Sequence, residues 1–202
     1  MRRTTIISGS ILFLLTLAAT AQESPSEISL QGTGFFTKSS SGNGTAYSPT
    51  ETGGFLSTYR YHLNRWISAE AAYGYDGNSQ KYLFFSNAFT IQSGIHQATG
   101  SLVLNLPSRP SSRFTPYVLA GGGALVFSPT TNQVNSLSGA QAQAKSVFVY
   151  GVGVNYAVLK RLSLRAEYRG LVYGTPDFGF GALSTNSITH TAQPSVGVTF
   201  RF

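Results

Sequence analysis

The chain is dominated by a repeated pattern of stretches that alternate in polarity and then end at a polar break. Successive side chains of a β-strand point to opposite faces of the sheet, so each stretch predicts a strand with one apolar and one polar face. The stretches cover residues 27–38, 52–63, 65–75, 93–106, 114–128, 145–158, 162–174 and 188–202. The pattern therefore predicts an all-β chain of eight antiparallel strands.

The breaks between the stretches alternate in length. Short breaks lie at Asn64, 106–112 and 159–161, and long ones rich in Ser, Gly, Asn, Thr and Pro lie at 39–51, 76–92, 129–144 and 175–187. Short turns at one end and long loops at the other are typical of an outer-membrane β-barrel. A soluble β-sandwich gives no reason for this sorting, so the pattern predicts an up-and-down transmembrane barrel.

The direction of each face follows from the solvent around it. In a barrel surrounded by lipid, apolar side chains point outward and charged ones inward. The seventh stretch separates Leu164 and Tyr168 on one face from Arg165 and Arg169 on the other. The last stretch separates Val198 and Phe200 from Arg201 in the same way. A soluble barrel, the rival interpretation, would reverse these directions.

Aromatic residues are expected at the two interfaces of the bilayer. The periplasmic rim is predicted to carry Tyr61, Tyr117, Tyr156, Phe200 and Phe202, and the outer rim Phe55, Tyr73, Tyr75, Phe127, Phe148 and Tyr150. This assignment leaves the fifth stretch irregular, because Val118, Ala120, Gly122 and Ala124 then occupy the face that should be polar. These small residues either make room for long side chains or belong to a strand buried on both faces.

Charged residues on the predicted inner faces are expected to pair with one another. Eight strands enclose a space that side chains just fill, and an unpaired charge is costly at membrane depth. The predicted lumen network consists of Arg60, Glu70, Arg165, Glu167, Arg169 and Arg201. We expect its role to be structural rather than one in transport or gating. Pro194 fits a central strand poorly, and we expect it above the bilayer or at a bulge.

The first residues have the layout of an export signal. Arg2 and Arg3 precede an apolar run over 6–19, and the small residues of 19–21 resemble a cleavage site. The sequence therefore predicts a signal peptide at 1–21 and a barrel domain at 22–202. With no cysteine in the chain, disulfides and a lipid-anchored terminus are excluded. Without Arg2 and Arg3, 12 of the 14 basic residues remain, and they form no basic cluster, which argues against a nucleic-acid partner.

Catalytic, metal and cofactor sites are not predicted. A serine esterase needs serine, histidine and a carboxylate within hydrogen-bond reach. His190 with Ser187 and Glu167 is a conceivable combination, but serines are so abundant in this chain that such coincidences are common. His62 and His96 show no metal-ligand spacing. The aromatic segments 81–85 and 177–180 lie in predicted outer loops, where they either contact a ligand or continue the strands above the bilayer.

Several of these pieces together resemble the outer-membrane β-barrel domain family of OmpA-like and OmpX-like eight-stranded transmembrane barrels. The matching segments are 116–123, 151–156, 164–169 and 198–202. The resemblance implies insertion by the barrel-assembly machinery, with Val198, Phe200 and Phe202 as its recognition signal. It also implies contact with lipid and lipopolysaccharide of the Gram-negative outer membrane.

The expected function is a structural or surface-interaction role, such as adhesion or envelope integrity, with a ligand bound through the long outer loops. A narrow channel for small apolar solutes is the first alternative. A lipid A-modifying barrel enzyme is the second, although the histidine-serine spacing of lipid A deacylase barrels is not found in this chain.

Overall fold

The computed structural model describes residues 26–38, 40–42, 45–49, 51–84, 87–107, 112–129, 142–176 and 187–202. These residues form ten strands: β1 (Ser26–Thr37), β2 (Ser40–Gly42), β3 (Thr45–Pro49), β4 (Thr52–His62), β5 (Ile67–Phe84), β6 (Asn87–Asn105), β7 (Phe114–Pro129), β8 (Gln143–Ala157), β9 (Leu162–Gly174) and β10 (Ile188–Arg201). Within this part of the chain, no helix is long and apolar enough to cross a bilayer. The predicted signal peptide lies outside the described residues and stays a prediction.

Eight of the strands close into a ring. Neighbours in the chain pair antiparallel from β4 to β10, and β1 closes the ring by pairing with β4 on one side and β10 on the other. The short strands β2 and β3 lie outside the ring, on an extension of β5. The prediction of an eight-stranded up-and-down barrel is therefore confirmed.

The pairing register also fixes the tilt of the strands. A row of paired residues that starts at Glu27 runs through Arg60, Glu70, Ser101, Gly121, Val149, Leu171 and Thr191. It returns to β1 at Thr37, ten residues beyond its start, and such a stagger requires strands tilted by about 40° to the barrel axis. Because paired residues point to the same face, the whole row points into the lumen.

The apolar faces point outward and the charged faces inward. Leu164 is 50% exposed and Val198 47% exposed, whereas Arg165 is 1% exposed and Arg169 is fully buried. A protein in water would show the reverse arrangement. The predicted direction of the faces is therefore confirmed, and the outer wall presents its apolar side chains to lipid.

The predicted aromatic rims are wrong at two positions in β7. Tyr117 is 1% exposed and Phe127 is fully buried, so both point into the lumen, and Val118, Ala120 and Gly122 face outward. Both faces of this strand are apolar or small, so alternation alone gave it no direction. The pairing register fixes the direction of β7. Gly121 belongs to the inward row, and any side chain at this position would overlap the backbone of Gly100.

The predicted loop at 76–92 is also wrong, because strands β5 and β6 continue through most of it. Their ladder runs from Ile67 opposite Leu104 to Phe84 opposite Asn87. The Ser, Gly and Asn content of the segment is typical of loops, but here cross-strand backbone pairing overrides that local preference. The alternative that the aromatic segment beginning at Lys81 continues a strand is confirmed for Lys81 to Phe84.

Pro194 lies inside β10, opposite Tyr168 of β9. On its other side the ladder to β1 pairs Thr33 with Ser195 and resumes only at Phe36 with Ala192. A proline has no N–H to donate, so the interruption falls where the donor is missing. The register is the same on both sides of this gap, so Pro194 lies at an interruption of the β1–β10 ladder and not at the bulge that was one of the two expectations.

Closure of the ring predicts heat-modifiable migration. An unboiled sample should run at a different position from a boiled one on a denaturing gel, because a ladder without free edges resists detergent until it is heated. The measurement is a gel of the two samples side by side, with a urea-unfolded sample as the control for the open chain. Identical migration of all three would contradict a closed barrel.

Candidate functional site

The lower half of the lumen, near the turn between β4 and β5, holds a buried network of charges. Glu70 is its centre, with Arg60 Nη2 at 2.7 Å, Arg169 Nη2 at 2.7 Å and Arg165 Nη1 at 3.3 Å from its carboxylate oxygens. Arg60 comes from β4, the neighbour of β5 on which Glu70 lies, whereas Arg165 and Arg169 come from β9, on the opposite side of the ring from β5. Glu70 therefore ties the two walls together through the interior.

Glu167, on β9, is a second carboxylate of the network that accepts hydrogen bonds. Arg169 Nε donates to it at 2.5 Å, and the Tyr117 hydroxyl also donates at 2.5 Å. The guanidinium of Arg60 lies 4.1 Å above the Tyr117 ring. The ring passes over Gly153 of β8, where a side chain would overlap it. Tyr117 is therefore part of the network, although the sequence interpretation placed it against lipid.

Glu27 is a member of the network that the sequence analysis did not predict. It accepts from Arg165 Nη2 at 2.8 Å, lies 2.9 Å from His62 Nε2, and pairs with Arg201. The Arg201 side chain is 56% exposed, so it marks the mouth of the lumen rather than its interior. Glu27 begins the polar face of β1, and its pairing opposite Arg60 is the signal that could have found it.

The buried part of the network is balanced in charge. Three buried arginines, Arg60, Arg165 and Arg169, face three glutamates, Glu27, Glu70 and Glu167. Removing one partner from such a set leaves an uncompensated charge away from water, which costs several kcal/mol. The structure brings all six predicted lumen residues to the same end of the barrel, and their structural role stays a prediction.

The upper half of the lumen holds a cluster of apolar side chains, with buried polar groups such as Thr189 and Thr191 beside it. Phe35, Leu56, Leu125, Phe127, Val149 and Leu171 are buried there, and the Phe127 and Tyr173 rings lie 5.8 Å apart. Between the two halves, Gln193 Nε2 donates to Gln97 Oε1 at 3.0 Å, and Thr33 donates to Asp76 at 2.9 Å. Side chains therefore fill the described lumen with charged groups below and an apolar plug above.

The histidines do not assemble the esterase arrangement that the sequence left open. His190 lies on the outer face, with its Nε2 atom 2.8 Å from the Tyr150 hydroxyl, whereas Glu167 is buried on the inner face. His96 is likewise bonded to Tyr73 at 2.9 Å on the outer face. The described residues also hold no cluster of three potential metal ligands.

The terminal aromatic strand closes the barrel. Val198 and Phe200 face outward, and the Phe200 and Phe202 rings lie 6.4 Å apart and stacked. Phe202 exchanges backbone hydrogen bonds with Ser26 at 3.0 and 3.3 Å. Recognition of these residues by the barrel-assembly machinery stays a prediction. The aromatic segment 177–180 lies outside the described residues.

Comparison with known protein families gives a match that covers almost the whole chain. Residues 10–202 match the family described as outer membrane protein beta-barrel domain. The chain belongs to this family. Its place is the outer membrane of Gram-negative bacteria, in agreement with the outward apolar face and the closed ladder. A search of curated protein sequences gives no match.

Three solved structures from different bacteria have the same fold. Neisserial surface protein A has a TM-score of 0.59 at 18% identity, over 87% of this chain and 97% of that one. OprG of Pseudomonas aeruginosa has a TM-score of 0.63 at 14% identity, over 89% and 96%. Ail, the attachment invasion locus protein of Yersinia pestis, has a TM-score of 0.53 at 18% identity, over 90% and 100%. At these identities the likeness extends to the fold alone.

The Glu70→Gln variant should lower the free energy of unfolding by about 3 kcal/mol, because three arginines lose their shared counter-charge. The measurement is urea unfolding in phospholipid vesicles, followed by the fluorescence of Trp66, the only tryptophan. The matched control is Glu51→Gln, since Glu51 is exposed and should change stability by less than about 0.5 kcal/mol.

The same variant separates a structural role from gating. A structural network predicts no ion conductance in planar bilayers for either the parent or Glu70→Gln, since the apolar plug remains. Conductance that appears in Glu70→Gln at unchanged stability would contradict the structural role and favour gating.

Proposed function

We propose that this barrel is a non-enzymatic surface protein that binds an external ligand through its outer extension. The observation that carries the proposal is the length of β5 and β6, which have 18 and 19 residues. A tilted strand needs only about 9–11 residues to cross a bilayer. The hairpin therefore continues well beyond the membrane on the side of the long connections.

The extension is a small sheet rather than a loop. β3 pairs with β5 from Thr45 opposite Phe84 to Pro49 opposite Gln80, and β2 pairs with β3. On the other side, the ladder between β6 and β7 begins at Ser93 opposite Pro129. A sheet of four strands, β2, β3, β5 and β6, thus stands above the rim of the barrel. We call it the outer sheet.

A sheet with unpaired edges is a ready template for another strand. Among the described residues, β2 pairs only with β3, and the part of β6 over 87–92 pairs only with β5. Backbone groups along these two edges can bind an extended peptide segment. The outer sheet is accordingly the part of the protein best suited to contact a partner.

The filled lumen supports the same proposal. The charged network and the apolar plug occupy the interior of the described barrel, which argues against transport of polar solutes through it. The function is then carried by surfaces rather than by a pore. One barrel of the same fold, Ail, is known in complex with the heparin analogue sucrose octasulfate. That complex supports ligand binding as a role for a barrel of this fold.

Replacing residues 78–93 by an Asn-Gly turn should abolish surface binding and keep the barrel. Gly77 and Gly94 are paired, and a two-residue Asn-Gly turn suits a hairpin at that point. The measurement is adherence of bacteria that express the protein to heparin-coated and matrix-coated wells. Adherence should fall to the level of cells without the protein, while migration on gels still depends on heating.

The control for this experiment is Gly100→Val, which adds a small side chain in open space on the lipid-facing wall. It should adhere like the parent. Adherence that survives loss of the outer sheet, or a parent that adheres no better than cells without the protein, would contradict the proposal.

A second candidate function, a narrow path for small apolar solutes, is favoured by one observation. A groove of about 650 Å³ opens in the outer wall and is lined by Gly32, Gly34, Gly53, Pro194 and Val196. It lies at the interruption of the β1–β10 ladder beside Pro194. The glycines and the gap in the β1–β10 hydrogen bonds thus lie at the same place in the wall, where an apolar molecule from the membrane could enter.

For this second function, Gly32→Val should slow the uptake of a hydrocarbon by cells that express the protein, because the new side chain occupies the groove. A side chain at Gly32 meets no atom within 4 Å, so folding should be unaffected. Gly100→Val is again the control, since Gly100 has the same open surroundings on another strand. Equal uptake by the two variants and the parent would exclude a path through this groove.

A further inference from the structure

Basic residues that are scattered along the sequence are gathered by the fold at the short-turn end. Arg65 lies in the turn before β5, Arg113 just before β7, and Lys160 and Arg161 in the turn before β9. All four are exposed. Up-and-down topology places every second connection at the same end, so each short turn adds its charge to one surface. Arg201, at the end of β10, completes what we call the basic rim.

No exposed acidic residue balances the basic rim within the described part of the chain. Glu27 and Glu70, the acids nearest this end, are buried and paired with arginines. Glu51 is exposed but precedes β4 at the opposite end. A surface of uniform positive charge attracts anions and raises their local concentration. This end faces the periplasm, because the short turns of the family lie on that side.

The mouth of the lumen forms a cavity at the centre of the basic rim. Its volume is about 550 Å³, and its lining includes His62, Arg65, Asn105, Asn155 and Arg201. Asn105 is only 7% exposed, and its Nδ2 donates to Ser68 Oγ at 3.2 Å. Its Oδ1 atom has no hydrogen-bond partner. A buried acceptor without a donor therefore lies in the same cavity as the exposed guanidinium of Arg65 and that of Arg201, which is more than half exposed and is also paired with Glu27.

These groups define the chemistry of a ligand. The guanidinium groups suit carboxylates, which they bind with paired N–H donors. Asn105 Oδ1 needs an N–H or O–H donor from the same ligand, which a peptide amide supplies. A cavity of this volume holds a ligand of a few residues. Ionised phosphate offers acceptors without a donor and meets only half of these requirements.

We propose that the basic rim and its cavity bind an acidic peptide on the periplasmic side, as presented by the carboxylate-bearing peptides of the cell wall. In this complex the free carboxylates of the peptide pair with the guanidinium groups of Arg65 and Arg201, and a peptide N–H donates to Asn105 Oδ1. Such binding attaches the periplasmic end of the barrel to the cell wall. This proposal concerns the opposite end from the outer sheet and is independent of surface binding.

The test measures binding of fluorescent muropeptides to the whole barrel in an uncharged detergent, by fluorescence anisotropy at low and physiological salt. The parent should bind, and more weakly as salt rises. The combined variant Arg65→Gln, Arg113→Gln, Lys160→Gln and Arg161→Gln should bind about tenfold more weakly. Asn105→Ala should weaken binding without changing its salt dependence. Heat-dependent migration verifies that each variant is folded.

The matched control neutralises charges at the opposite end, with Lys38→Gln and Lys145→Gln, and should bind like the parent. Muropeptides with amidated carboxylates should bind as weakly as the combined variant does. Vesicles with and without anionic phospholipid form the remaining arm. Equal muropeptide binding by parent and combined variant would overturn the proposal. Capture of anionic vesicles with no binding of muropeptides would overturn it in favour of lipid headgroups.

Discussion

The pairing between β1 and β10 is the interaction on which the rest of the structure depends. A backbone N–H or C=O group without a partner costs several kcal/mol in hydrocarbon, so a sheet survives there only when it has no free edge. The ten-residue stagger that accompanies closure then sets which residues meet across the lumen. Glu70 faces arginines of β9 because the barrel closes with this stagger. The charged network is thus a consequence of closure as well as a support for it.

Closure also decides where a function can lie. Eight strands leave an interior that side chains fill, and this chain fills it with opposed charges below and apolar groups above. The charged groups are held by partners, and the apolar cluster above them lies beside buried hydroxyl and amide groups. What remains available is the wall and the two ends. The outer sheet occupies one end and the basic rim the other.

The sequence predicted the fold well because lipid imposes a simple rule on each strand. In β9 the alternation of Leu164, Arg165, Ala166 and Glu167 can be satisfied only with the charges inside. In β7 this rule does not determine which face points outward, because Tyr117, Val118, Leu119 and Ala120 are all acceptable to lipid. Its direction came from pairing with β6 and β8, which is information about distant residues. The outer sheet was missed for the same reason, since its polar composition is typical of loops until a partner strand is known.

The lumen network and the basic rim also differ in how far the sequence predicts them. The six predicted lumen residues could be found because each interrupts an apolar pattern, whereas Glu27 stands at the start of a polar face and gives no such signal. The basic rim could not be seen at all, because Arg65, Arg113 and Arg161 are about fifty residues apart and ordinary in their turns. Only a topology that returns the chain to one side at every second connection makes them neighbours. In a barrel, therefore, a surface charge pattern has to be counted by end rather than by segment.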